Sequence, residues 1–237
     1  MTHRRLFAMS GLLLAAGLAC SGLTDLAGDP SEGSSGESQF SDGAINDASN
    51  DASSGALFSD SFADESSGWE IGDYSGGRVG YWNGEYYVTS LGDGQTIRGL
   101  ANRGFDDVTI KVRSQQISAP SNDNNDYGVI CRANADGAGY FFLISGDGFF
   151  AILRGDANDE FEQLIDWTSS NAINQGNSSN EIQVTCEGEN LSLQVNGELL
   201  ASVKDSRYSA GDIALTATSY EETSTEIHFD DIEVARP

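Results

Sequence analysis

The segment Tyr140–Arg154 reads YFFLISGDGFFAILR. Apolar residues crowd both sides of a Ser-Gly-Asp-Gly turn, which marks a β-hairpin. A two-residue turn, at Gly146-Asp147 or Asp147-Gly148, pairs even with odd positions and sorts the side chains into the same two faces in either register. One face then holds Tyr140, Phe142, Ile144, Phe149, Ala151 and Leu153. The other holds Phe141, Leu143, Ser145, Phe150, Ile152 and Arg154. The first is apolar throughout and is expected to face the core. The second mixes aromatic groups with a serine and an arginine, as the lining of a groove on a curved sheet would.

Similar short runs recur outward from this hairpin, each bounded by Gly, Asn or Asp. They include GYWNGEYYVTS, DVTIKVRSQQI, YGVICRA, EIQVTCEG, LSLQVNG, DIALTATS and TEIHFDDIEVA. Asn83-Gly84 and Asn196-Gly197 are hairpin signals. No amphipathic helix of useful length interrupts them, so the chain is expected to be all-β, a sandwich or barrel. Cys131 shares a strand face with Val129, and Cys186 shares one with Ile182 and Val184. Both cysteines therefore point with core residues, and a disulfide between packed strands is expected; two buried free thiols are the alternative. In the last strand Ile227 and Phe229 are out of step with Ile232 and Val234, which predicts a β-bulge near Asp230-Asp231.

The N-terminus reads differently. His3, Arg4 and Arg5 precede the apolar run Leu6–Leu18, which is too short to span a bilayer and reads as a secretory segment. It ends GLLLAAGLAC, and a small residue before Cys20 resembles a bacterial lipobox. Residues 1–19 are thus expected to be a lipoprotein signal peptide with Cys20 as the lipidated residue, an ordinary signal peptide being the alternative. Residues 20–55 are rich in Gly, Ser, Asp and Asn without period, and read as a disordered tether of roughly 30 Å root-mean-square reach. One domain is expected over 56–237.

The chain carries 37 acidic and 12 basic residues, a net charge of −25. Such a surface repels phosphates and anionic headgroups, which sets nucleic acid aside and leaves an N-terminal lipid as the expected link to a membrane, at a bacterial cell envelope. Beyond residue 20 the sole histidine is His228. A His-based zinc centre or a serine–histidine triad has almost nothing to build with.

Four pieces carry a family resemblance: FSDSFADESSGW, DYGVICRANADGAGYFFLISGDGFFAILR, NEIQVTCEGENLSLQVNGELL followed by GDIALTA, and HFDDIEVARP. Together they resemble the concanavalin A-like jelly-roll superfamily, in particular laminin-G-like and 3-keto-disaccharide hydrolase-like domains. The resemblance covers nearly all of 57–237. It implies a two-sheet antiparallel sandwich, the second sheet concave, with the terminal strands side by side. One such scaffold carries lectins, adhesion modules and glycosidases alike. The Glu-x-Asp-x-x-Glu strand of its retaining glucanases is absent here. The acid cluster Asp156, Asp159, Glu160 and Glu162 sits in a Gly/Asn-rich connection and reads as a solvated loop.

The expected function is therefore a non-catalytic module that recognises glycan or another envelope component. A sugar-active hydrolase and a protein-binding adhesion module are the alternatives. Candidate ligand contacts are Arg132, Phe141, Phe150, Arg154, Tyr127 and Trp167, since sugars stack on aromatic faces while planar polar groups fix hydroxyls. The plainer reading is that the connection 156–180 covers the aromatic groups and the arginines pair with acids. Trp69 is expected to cap one end of the sandwich, and Trp82, Tyr86 and Tyr87 to be mostly core. Asp60, Asp230 and Asp231 are candidate ligands for a structural calcium ion, with Asp123 and Asp126 a second candidate pair.

Overall fold

The computed structural model describes residues 55–158 and 160–237. The signal segment, Cys20 and nearly all of the tether lie outside these residues, as does Asp159.

Two antiparallel sheets stack into a sandwich. The larger has nine strands, in the order β13 (Glu198–Lys204), β12 (Asn190–Val195), β11 (Ser179–Glu187), β6 (Val108–Ser118), β15 (Thr225–Ala235), β4 (Glu85–Ser90), β3 (Gly77–Trp82) and β2 (Gly72–Tyr74). In addition, β1 (Ala56–Asp60) pairs with β15, so the two ends of the domain lie side by side. The smaller sheet runs β10 (Phe161–Ser169), β9 (Phe149–Gly155), β8 (Gly139–Ile144), β7 (Asn125–Ala133), β14 (Asp212–Ser219) and β5 (Gln95–Leu100).

Alternation explains the core. Val108, Ile110 and Val112 of β6 face Ile182, Val184 and Cys186 of β11, and Leu191, Leu193 and Val195 of β12 continue the layer. From the smaller sheet Tyr127, Val129, Tyr140, Phe142, Ile144, Leu215 and Ala217 meet them, all essentially buried. Burying a side chain of this size contributes about 1.5–3 kcal/mol. Cys131 and Cys186 form a disulfide that ties β7 of one sheet to β11 of the other. The expected bulge in β15 is present: the register with β6 shifts between Asp230 and Glu233, and Asp231 takes a φ of 50°. Ile227, Phe229, Ile232 and Val234 all reach the core as a result.

Three elements escaped the sequence reading. β5 and the short β2 lack a clear apolar alternation, and Phe161–Ser169, expected within a covering connection, is instead the edge strand β10. Trp69 is buried against Phe62 and Tyr86, as expected of an end cap, with ring centroids 5.4 and 5.3 Å away. Trp82, by contrast, is 61% exposed.

Candidate functional site

The hairpin of Tyr140–Arg154 has a three-residue loop, not the expected two-residue turn. The Ser145 N–H donates to the Phe149 carbonyl and the Gly148 N–H to the Ser145 carbonyl, with Gly148 at a φ of +87°. A glycine in the left-handed region closes a three-residue hairpin loop. Ser145 therefore stands opposite Phe149, and β8 pairs with β9 even to even: Tyr140 with Arg154, Phe142 with Ile152, Ile144 with Phe150. The assignment of β9 is corrected by one residue. Phe150 and Ile152 join Tyr140 in the core, while Phe149, Ala151 and Leu153 share the outward face with Phe141 and Leu143.

Register gives the outward face of the smaller sheet as a grid. One row across the strands is Leu100, Ala214, Ile130, Phe141, Leu153 and Gln163. The next is Arg98, Thr216, Gly128, Leu143 and Ala151. A third holds Thr96, Thr218 and Asp126, with Phe149 on β9 at the same end. Ile130, Ala133, Phe141, Leu143, Ala151, Leu153 and Ala214 form a second buried apolar cluster on this face, with Leu100, Phe161 and Trp167 packed against it. The Phe141 and Phe161 rings meet edge to face at 5.0 Å. Gly128 leaves bare backbone in the middle of the grid, and a Cβ there would lie 2.0 Å from the Phe142 carbonyl oxygen. Glycine inside a strand often marks a close approach of backbone or ligand.

The six expected ligand contacts divide. Phe141 and Trp167 lie on this outward face, but Phe141 is covered, at 1% exposure, as the plainer reading had it. Tyr127 and Phe150 face the other sheet. The Tyr127 hydroxyl accepts from Asn180 Nδ2 at 3.3 Å, and burial pushes its pKa up to about 12. Arg132 does not share the face of Ile130, because it sits at a φ of 52° beside a register shift in the β7–β14 pairing. That bulge swings it into the end of the sandwich, where it is 1% exposed. Its guanidinium donates to the carbonyls of Gly188 (2.8 Å), Tyr208 (2.7 Å) and Asp106 (3.3 Å) and pairs with Asp107 at 2.9 Å. Arg154 lies near the C-terminal end of β9, between Asp205 and Glu162. Burial opposes ionisation of Asp205, yet the Tyr140 hydroxyl, the Arg207 N–H and Arg154 outweigh it and hold the carboxyl below its usual range.

The calcium candidates do not converge either. Asp60 lies on the core side of β1 and caps the Phe62 N–H at 2.8 Å. Asp230 lies on the opposite side of the sheet and pairs with Arg113, which also meets Asp231 at 3.2 Å. Asp123 accepts from Gln116 Nε2 at 2.8 Å, and Asp126 accepts from the Tyr220 hydroxyl. Among the described residues no three His, Cys, Asp or Glu side chains are gathered as metal ligands. Asp156 turns its carboxylate back onto the N–H groups of Asn158 and Glu160.

A sandwich of these two sheets has counterparts among solved structures. The architecture, an antiparallel two-sheet jelly-roll sandwich, is consistent with a concanavalin A-like fold. A Bacillus subtilis protein of unknown function with a galectin-like fold superposes with a TM-score of 0.56 at 11% identity, over 77% of this chain and 96% of that one. A LamA variant from Zobellia galactanivorans, in complex with laminaritriose and laminaritetraose, gives 0.53 at 13% identity, over 77% and 99%. The GlcNAcα1-4Gal-releasing endo-β-galactosidase of Clostridium perfringens gives 0.56 at 10% identity, over 77% and 63%. No family model matches the chain, and no curated protein sequence matches it. At these identities the likeness is one of fold.

The sequence reading placed Phe149 in the core and did not single out Phe161, Tyr220, Arg98 or the threonines of β5 and β14. Gly148 was the available signal, since a glycine after Gly-Asp fits the three-residue loop as well as the two-residue one.

Proposed function

We propose that this chain is an exported, lipid-anchored, non-catalytic module that binds glycan on the outward face of its smaller sheet. The observation that carries the proposal is the asymmetry of the two outward faces. Antiparallel sandwiches alternate apolar-in and polar-out. The larger sheet does so, presenting Lys111, Arg113, Glu181, Glu226, Asp230 and Glu233 outward. The smaller sheet places apolar and aromatic groups on both faces. On the outward one, Ile130, Phe141, Leu143, Ala151 and Leu153 are buried with Phe161 and Trp167 packed against them; toward β5 stand Arg98 and Thr96, the latter hydrogen-bonded to the buried Thr218 hydroxyl, while the buried Thr216 hydroxyl donates to the Ile97 carbonyl. That pairing of ring faces with hydroxyl and guanidinium groups suits a sugar, whose CH faces stack and whose hydroxyls need partners.

The carboxylates favour binding over hydrolysis. On β7, β8, β9 and β14 the outward carboxylates are Asp126 and Asp212. Asp126 stands opposite Thr218 and Asp212 opposite Ala133, at the two ends of β14. Six residues of strand separate them, about 20 Å. Retaining and inverting glycosidases need pairs at about 5–5.5 Å and 6.5–9.5 Å.

A glycan array probed with the full chain tests the reading, followed by titration calorimetry of Phe149→Ala and Trp167→Ala. Binding is expected and should weaken about 10-fold or more in each variant; a blank array with folded protein sinks the proposal. The anchor is tested separately. Cys20→Ser should abolish incorporation of labelled fatty acid, and labelling that persisted would remove Cys20 from this role.

A further inference from the structure

The larger sheet breaks its own polar pattern at one place. Along β3 and β4, Val79, Tyr81, Tyr86 and Val88 point inward, so Arg78, Gly80, Trp82, Glu85, Tyr87 and Thr89 point outward. Trp82 is 61% exposed, and Ile71, one residue before β2, is 62% exposed. An indole usually buries most of its large apolar surface. Here it stands at the tip of a hairpin, held by Asn83 and Gly84 at φ values of 51° and 83°. Directly opposite it across the ladder is Glu85.

Glu85 is fixed in place: its Oε2 is 2.7 Å from His228 Nδ1. His228 Nε2 is 3.2 Å from Glu226, which also accepts from Thr89 at 3.0 Å and meets Arg78 at 3.4 Å. This network surrounds Tyr87, whose ring lies 6.4 Å from His228 and carries Arg78 at 5.9 Å over its face. On its other side is Gly80, where a Cβ would sit 3.0 Å from the Tyr87 hydroxyl oxygen. The result is an open indole beside a rigid set of hydrogen-bonding groups, on the larger sheet.

We propose that Trp82, Glu85 and Tyr87 form a second carbohydrate-contact site that takes an uncharged sugar. The indole face would stack on sugar CH groups while Glu85 accepts from a hydroxyl. A protein partner fits less well: a stable interface covers about 800 Å² per partner. The apolar patch ends within two strands, at the ionic groups of β15 and β6. A polyanion is disfavoured by the net charge of −25 and by Glu85 itself.

The test uses the full chain with neutral gluco-, galacto- and N-acetylglucosamine oligosaccharides, read by titration calorimetry and tryptophan fluorescence. Trp82→Ala should lower the stoichiometry from about two sites to about one. On immobilised polysaccharide it should weaken binding as well. Glu85→Gln should weaken the same site while leaving circular dichroism unchanged. Unchanged stoichiometry in Trp82→Ala overturns the proposal, as does a chain that self-associates through Trp82 in sedimentation. The outcomes also separate the two sites. Loss of all sugar binding in Trp167→Ala alone removes this site and leaves the first; loss in Trp82→Ala alone does the reverse.

Discussion

Arg132 shows how a single dihedral decides a role. On a regular strand it would stand beside Ile130 on the outward face. At a φ of 52° it instead fills the end of the sandwich, where three carbonyls and Asp107 receive its guanidinium. Removing one partner of a buried charged network costs about 3–5 kcal/mol, because the remaining groups are left desolvated. Arg132→Ala should therefore lower the unfolding free energy by about 3 kcal/mol in urea titrations, near the bottom of that range because Asp107 is half exposed. Arg132→Lys should recover only part of this, since one ammonium cannot serve four acceptors spread around a planar fork. Sequence could not have given this role. A left-handed arginine carries no local signature, and each of its partners lies 25 or more residues away.

At the scale of elements, legibility followed periodicity. β6, β7, β8, β11, β12, β14 and β15 bury one face or both and read directly as strands. β15 even announced its bulge, since two apolar pairs out of step require one extra residue. The cysteines were legible for the same reason, each lying among core positions of its own strand. β10 was not, because its pattern FEQLIDWTS is half solvated and its pairing with β9 slips twice. The outward face failed on one residue of loop length, which exchanged the faces of Phe149 and Phe150. The disulfide crosses between the sheets over a separation of 55 residues. Cys131→Ala/Cys186→Ala should lose about 3–4 kcal/mol in chemical denaturation, the unfolded chain regaining the loop entropy. Non-reducing peptide mapping should recover the two strands as one linked species.

For the whole molecule, charge is the dominant fact. Thirty-seven acids against 12 bases leave a surplus that the ion pairs at Arg78, Arg113, Arg132, Arg154, Lys111 and Lys204 cannot absorb. Self-repulsion of this kind opposes the compact state and is screened by salt. The melting temperature at pH 7 should rise between 10 mM and 500 mM sodium chloride, as read by calorimetry; a falling value would mean that the ion pairs outweigh the repulsion. Neither of the two proposed sugar sites should weaken over that range, because stacking and hydroxyl contacts involve no net charge on the ligand.

The pairing of β1 with β15 has a mechanical side. Ala56 stands opposite Ala235, so the chain enters the domain beside the place where it leaves. In a protein held at its N-terminus and gripping a ligand elsewhere, tension would arrive first at this five-residue strand. The strand can peel away from β15 one rung at a time. The cystine between β7 and β11 lies beyond the detached segment, so the two sheets would stay joined after β1 had come away.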